Sequence, residues 1–548
     1  MLSHPPEAAL PCSPASGSCH WQRWLKIALA VLILAGAAAT RLYQADKPLW
    51  LDELHTSWAA RGSLSEVSQR ARDGNQPPVY FWLSHLVTQG TGGGEVRLRL
   101  PSLLASLLLL PAAWWLLRRM TGSCLAGLVA GYLLAIDPFQ IIFGQEARGY
   151  ALVQLVAMLH VGVFALVTVD AHWPRRLTLV FLTVLLFYLH YTSLLVLTGE
   201  LVWYAVARRW KQGEGSSGTP YTPWKLAADL AVALVCTAPG WAALSDVFGR
   251  RDAWRQVMGQ VRVTQLFTQF NWLGVVAPAC VAAGVAWLVG QRFCGASEPT
   301  SSSNSPTVDL SRQAWVSLLA CWFFVPLVLV WSATAAGLLS LLLPRYLLII
   351  APVPALAAGW LTTLPRLMSL RIVAALVVCL WVTWQTSLPY GYAREDWRAA
   401  IAWIETQEHT ARQEAGNNPA AAIEPVPVVL WAALVEGGDR ERLERDRQFR
   451  DYLLFPLQGY YRFEQSRPLE PLANAAANDF SPGLLTDRQC NLIRSRGAAW
   501  IVYRAWQRDV SENAEDICHQ LATPGESWQA HTTAVGPLVV VQLTKTAE

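Results

Sequence analysis

Two adjacent carboxylates, Asp52 and Glu53, stand in the stretch PLWLDELHTSWAARG (48–62), directly after the first long apolar run and among Trp50, Leu51, Leu54 and Trp58. A carboxylate at hydrogen-bonding distance can take the proton of a hydroxyl nucleophile. Apolar neighbours and the like charge of Glu53 are both expected to raise the pKa of Asp52 toward a useful range. The same region carries His55, and then Gln76 and Tyr80 in NQPPVY. Further on, GQEARGY supplies Gln145, Glu146, Arg148 and Tyr150, LHYTS supplies His190 and Tyr191, GRRDAWRQ occupies 249–256, and PRY supplies Arg345 and Tyr346. Arginine suits phosphate because its planar fork grips two oxygens at once and stays charged when desolvated.

Each residue also has a plainer role open to it. Asp52 could cap an interfacial helix running through WAARG. Glu146 and Arg148 could form a local ion pair or anchor a span end, as could Arg345 after Pro344, and His190 could be a satisfied helix-end histidine. Asp52, Glu53 and His55 lie close enough in sequence to suggest a metal, but no distant partner completes the set.

The elements that must position these groups are membrane spans. Of 548 residues, 53% are hydrophobic and only 15% charged, which excludes an ordinary soluble domain, and a net charge of +4 is too small to argue for nucleic acid. The 27 tryptophans suit the membrane interface. About eleven apolar runs approach the ~20 residues needed to cross the hydrocarbon. They centre on 26–43, 99–117, 122–139, 150–169, 177–191, 192–207, 226–244, 271–290, 314–334, 346–363 and 371–388.

With the N-terminus in the cytoplasm, alternate connections carry RRM, WPRR, ARRWK, QRF and PRLMSLR, as the positive-inside rule requires. The candidate residues then gather on the outer face. The expected organisation is a cytoplasmic tail (1–25), a transmembrane catalytic domain (26–390) with a first outer loop (44–98), and an extracytoplasmic α/β domain (391–548). In that last domain PVPVVLWAALV, AAWIVYRAW and PLVVVQLT read as strands, and DRERLERDRQFRDYLL reads as helix. The ten cysteines show no metal spacing; five lie in apolar runs, and Cys490 and Cys518 could pair or stay free.

The ordered series LDE, QPPVYFWL, LRLPSLL, QEARGYAL, LHYTS, PRYLLIIAPVPAL and EDWRAA resembles membrane glycosyltransferases of the GT-C class. The similarity is to the protein O-mannosyltransferase-like and lipid A aminoarabinose transferase-like families, over most of residues 26–402. The resemblance implies an α-helical polytopic GT-C-like fold of about eleven spans with an outer α/β domain. It implies an inner-membrane enzyme that moves a sugar from a polyprenyl-phosphate donor to a glycan, lipid or protein acceptor on the outer face, by inverting single displacement.

Carried over by position, Asp52 takes the family's acidic catalytic position with Glu53 as its partner, Arg148 and Arg345 meet the donor phosphate, and His190, Tyr191 and Tyr346 line the cavity. His55, Tyr80, Gln145, Glu146 and Tyr150 are further cavity candidates. Gln76 stands where family members often have His. No cofactor is implied for certain, and a divalent metal stays open because related enzymes differ. The alternative function is a transporter or flippase of lipid-linked sugars, which should carry ionisable groups in mid-span.

Overall fold

The computed structural model describes residues 16–89, 94–210, 219–249, 261–293, 310–338, 341–388, 395–414, 425–476, 481–504 and 510–547. Each of the eleven apolar runs coincides with a helical segment. Among the described residues, seven helices are long and apolar enough to cross a bilayer, which makes the chain a multi-pass membrane protein. They are His20–Leu42, Glu95–Thr121, Tyr150–Val169, Pro223–Asp246, Gln265–Arg292, Arg312–Ala335 and Met368–Gln385. An eighth arises if Cys124–Ile136 and Pro138–Gln145, bent by 64°, form one span. The other three runs are shorter: Trp173–Leu189 has 17 residues, about 26 Å of helix against ~30 Å of hydrocarbon, and Tyr191–Ala207 and Leu348–Leu361 are shorter apolar helices.

Local chemistry explains the elements around the site. The first span, α1 (Ser16–Leu42), is followed by three short helices: α2 (Leu51–Ala59), α3 (Leu64–Asp73) and α4 (Val79–Thr88). Next come α5 (Glu95–Thr121), α6 (Cys124–Ile136), α7 (Pro138–Gln145), α8 (Tyr150–Val169) and α9 (Trp173–Leu189). The α6–α7 break is built in: Asp137 accepts from the Gln140 N–H at 3.0 Å as the cap of α7, and Pro138 takes a first-turn position where its missing N–H costs nothing. The carbonyls freed at the end of α6 are met by the fully buried Arg41, which donates to Leu134 and Ala135 at 3.0 Å each.

After the last span the chain forms a five-stranded sheet from β1 (Val428–Trp431), β2 (Leu469–Pro471), β3 (Ala498–Tyr503), β4 (Glu526–Val535) and β5 (Leu538–Ala547). The order is β2-β1-β3-β5-β4, with β1 parallel to β2 and β3, and β5 antiparallel to β3 and β4. The three apolar runs of the sequence are β1, β3 and β5. DRERLERDRQFRDYLL is two helices, not one, because Asp446 ends Arg440–Arg445 and caps Arg447–Leu453 through the Phe449 N–H. Cys490 and Cys518 are both free thiols.

One apolar core fills the helical bundle, and another lies over one face of the sheet. A third joins Leu49, Leu51 and Leu54 of the first loop and Ala147 of the QEAR turn to Trp397, Ile401, Phe455 and Trp500 of the C-terminal region. The α2 helix is therefore packed between bundle and sheet, and its residues are held from both sides.

Candidate active site

Asp52 and Glu53 are neighbours with opposite fates. Glu53, at the third position of α2, is fully buried and reaches back to accept from the Trp50 N–H at 3.4 Å, the carboxylate half of a capping box. It also accepts from Arg99 of α5 at 2.7 and 2.6 Å and from the Ala147 N–H at 2.8 Å. Its oxygens are thus engaged by α2, α5 and the QEAR turn. The cap function considered for Asp52 falls to Glu53, and Glu53 is turned away from its neighbour.

Asp52 points the other way and keeps 23% of its side chain exposed. Its carboxylate lies 3.8 Å from the Arg345 guanidinium, whose side chain is 30% exposed. Arg148 donates to the Asp52 backbone oxygen at 3.3 Å and approaches His55 Nδ1 at 3.5 Å. Burial works to raise the Asp52 pKa, but Arg148, Arg345, Arg504 and His55 outweigh it and hold the carboxyl below its ordinary value. The sequence expectation of a raised pKa fails for two reasons: the facing arginines are stronger than the desolvation, and the charge of Glu53 is spent on Arg99.

The QEAR turn that delivers Arg148 is fastened on several sides. Thr56 of α2 donates to the Ala147 carbonyl at 2.8 Å, Ser102 of α5 donates to the Arg148 carbonyl at 2.7 Å, and Tyr80 of α4 shares a 2.7 Å hydrogen bond with Ser102. Gln145 faces α1 instead, donating to the carbonyls of Thr40, Arg41 and Tyr43 and closing that helix end. Tyr80 and Gln145 therefore hold the frame of the site. Glu146 is buried beside the turn, its carbonyl accepting from the Arg148 N–H at 2.7 Å.

Aromatic rings pack around the two arginines. The Arg148 guanidinium lies 5.9 Å from the ring centre of Tyr150, and that of Arg345 lies 5.3 Å from Tyr346. His190 bridges the two, 6.4 Å from Tyr150 and 6.0 Å from Tyr346 between ring centres. Burial, with Arg148 and Arg345 adding to it, pushes His190 down to about 3. His55 is packed among Trp58, Phe81, Tyr452 and Phe455, and burial and Arg148 push it down to about 3 as well. Both imidazoles are neutral near pH 7 and act as dipoles, not cations. Gly74 is required beside His55, since a Cβ there would lie 2.2 Å from the ring.

Arg148 and Arg345 remain charged despite burial. Asp52 and Tyr150 outweigh desolvation at Arg148, and Tyr346, Tyr150 and Asp52 do so at Arg345. The structure therefore brings together Asp52, His55, Arg148, Tyr150, His190, Arg345 and Tyr346. Tyr191 packs on Phe187 at 5.2 Å and lies within the field of Arg72 and Asp246, to one side. Gln76 is half-buried at the start of α4, its N–H bonded to the Ala71 carbonyl. GRRDAWRQ lies, from Arg250 on, outside the described residues.

Asp52 does not fit a divalent cation, because the two guanidiniums that face it would repel one. Among the described residues no three His, Cys, Asp or Glu side chains converge as a metal set.

Two partners of the acidic pair escaped the sequence reading: Arg99, which binds Glu53, and Arg504, which acts on Asp52. Arg99 lies inside LRLPSLL, so that motif itself carried the signal. The interiors of the apolar runs are mainly Leu, Val and Ala. Yet His160 of α8 is fully buried, 2.9 Å from Glu200 and 2.8 Å from the Thr183 hydroxyl of α9. Thr183 in turn donates to Leu179 at 2.8 Å, so both imidazole nitrogens are engaged within the bundle.

A sequence profile of the dolichyl-phosphate-mannose-protein mannosyltransferase family matches residues 75–242. No curated protein sequence matches the chain. The crystal structure of ArnT from Cupriavidus metallidurans in the apo state aligns with a TM-score of 0.54 at 14% identity, covering 96% of this chain and 98% of that one. The same protein bound to undecaprenyl phosphate aligns at 0.48, with 14% identity and the same coverage. The archaeal oligosaccharyltransferase AglB from Archaeoglobus fulgidus aligns at 0.38, with 12% identity, 75% of this chain and 62% of that one. The shared fold rests on the first of these. In family profile and in fold, the chain resembles the GT-C class glycosyltransferases of the protein mannosyltransferase and ArnT kind.

Proposed function

We propose that this protein transfers a sugar from a polyprenyl-phosphate donor to an acceptor hydroxyl at the outer face of the membrane. One observation carries the reading: an ionised carboxylate, Asp52, faces the buried Arg148 and the half-buried Arg345, brought from separate parts of the chain. The matching family is described by a dolichyl-phosphate sugar donor, which agrees with a site built for a phosphate on a lipid. The basic ends of alternate spans support an outward-facing site and a cytoplasmic N-terminus.

The reaction is a single displacement with inversion. The acceptor oxygen attacks the anomeric carbon, its proton passes to Asp52, and the electron pair of the breaking sugar–oxygen bond stays on the lipid phosphate. Charge is conserved within the chamber: Asp52 loses one negative charge as the leaving phosphate gains one, so the arginines face the same total throughout. The donor phosphate shares Arg148 and Arg345 with Asp52. That sharing weakens their hold on the carboxylate and makes it a better base once substrate is present. The guanidiniums then stabilise the departing phosphate, and nearby negative charge favours the oxocarbenium character of the transition state.

Glu53 is a positioning residue in this account. Sugar and acceptor identity are read by incubating the purified protein with a panel of radiolabelled polyprenyl-phosphate sugars, with and without cell-envelope acceptors. Acceptor-dependent release of lipid phosphate supports the reading. Failure to turn over any lipid-phosphate sugar opposes it.

A further inference from the structure

The outer sheet reaches the site through a pair that the transfer reading does not use. Glu395 lies just before the helix Trp397–Glu414 and is buried. One of its oxygens accepts from the Leu51 N–H at 3.1 Å and from Trp397 Nε1 at 3.0 Å. The Leu51 N–H is the first orphan donor of α2, the helix that carries Asp52, and a carboxylate there also suits the positive end of the helix. The other Glu395 oxygen is ion-paired with Arg504 Nε. Arg504 directly follows β3, and its own N–H donates to the Trp431 carbonyl at 3.0 Å, extending the β1–β3 ladder by one rung. Two further bonds fasten the same loop to the C-terminal region: Leu49 N–H to the Tyr461 hydroxyl at 2.9 Å and Asn75 to Glu436 at 2.6 Å.

We propose that Arg504 and Glu395 form a positioning pair through which the C-terminal region sets both the place of Asp52 and the charges next to it. Glu395 pins the first turn of α2, and Arg504 brings a third guanidinium to bear on the carboxylate. The outer region is thereby part of the reaction machinery and not only a covering. The groups that act on Asp52 are Arg148 from the QEAR turn, Arg345, His55 of its own helix, Tyr150 of α8 and Arg504. Glu53 is spent on Arg99, and Glu395 moderates Arg504.

This inference rests on the transferase reading, and the experiment separates the two. The probe is undecaprenyl phosphate, titrated by tryptophan fluorescence into the full-length protein in nanodiscs between about pH 3 and 8, a range that reaches below the ordinary carboxylate value. Phosphate competes with the Asp52 carboxylate for Arg148 and Arg345, so binding tightens as Asp52 takes a proton. Losing the Arg504 charge raises the pH at which Asp52 does so, and losing the Glu395 charge leaves Arg504 unmoderated and lowers it.

Arg504→Gln is therefore expected to move the onset of tightening up by about half a pH unit or more, and Glu395→Gln to move it down. Arg504→Lys should restore the wild-type onset, and Lys545→Gln, in an exposed pair with Glu526 at the far edge of the sheet, should leave it alone. A pair that only braces the fold would lower the melting temperature in both Gln variants with both onsets unmoved, and that result overturns the inference. If the wild type does not bind undecaprenyl phosphate, the transferase reading fails and this inference falls with it.

Discussion

The Asp52 carboxylate lies 3.8 Å from the Arg345 guanidinium, and the two residues come from the loop after the first span and from the turn before one of the last apolar segments. Arg148 also acts on this carboxylate, and in the proposed reaction the donor phosphate competes with Asp52 for both guanidiniums. Arg148→Gln and Arg345→Gln should each lower kcat/KM for the lipid donor by about 10²–10³-fold, the loss typical of a transition-state charge partner. Steady-state kinetics against donor concentration checks this, and unchanged donor dependence would return both arginines to the role of span anchors.

Glu53 should behave differently from its neighbour. It is fully buried and is bonded to Arg99 at 2.6 and 2.7 Å, so removing it strands a buried cation. Glu53→Ala is expected to cost about 3–5 kcal/mol of stability, the usual effect of breaking a buried pair. Thermal or denaturant unfolding in detergent measures it. A stable Glu53→Ala protein with lost turnover would instead give Glu53 a direct part in the chemistry.

The pH dependence has a definite sign. The Asp52 pKa is depressed, so its charge and the stability it lends are present throughout the neutral range and are lost only as pH falls below about 4. His55 and His190, each held down to about 3, stay neutral across the same range. The kcat/KM profile should thus show no inflection from either histidine between about pH 5.5 and 7.5. An inflection near 6.5 that disappears in His55→Gln or His190→Gln would show that one of them titrates during the reaction.

Gly74 offers a steric test of the His55 pocket. A Cβ at this position would lie 2.2 Å from two atoms of the His55 ring, inside a shell of Trp58, Phe81, Tyr452 and Phe455 that has no slack. Gly74→Ala should displace His55 and with it Arg148, lowering activity by about tenfold or more while the rest of the fold persists. Near-normal activity would mean that the ring moves aside without consequence.

Helices were readable because hydrocarbon requires long apolar runs: Tyr150–Val169 falls on the expected 150–169, and the other ten runs also lie on helical segments. In the sheet, β1, β3 and β5 are buried and apolar and announce themselves. By contrast β2 is three residues long, and β4 is a largely exposed edge strand whose SWQAHTT is polar, so neither leaves an apolar pattern. The site residues that could be named in advance were those gathered in short turns between apolar runs.

What local sequence could not tell was orientation: α2 sends Asp52 to one side and Glu53 to the other, a consequence of Arg99 on α5 claiming the latter. Long-range pairs such as Arg504 with Glu395 leave no spacing signal at all, because a strand end and a loop meet only once the sheet has docked on α2.

The central claim is that Asp52 takes the acceptor proton while Arg148 and Arg345 hold the donor phosphate. The most direct measurement is single-turnover sugar transfer by Asp52→Asn in proteoliposomes, from the polyprenyl-phosphate sugar that the wild type uses. The account predicts a fall in rate of about 10²–10⁴-fold, with undecaprenyl phosphate still bound at least as tightly as by the wild type. A folded Asp52→Asn protein that transfers sugar at close to the wild-type rate would contradict it.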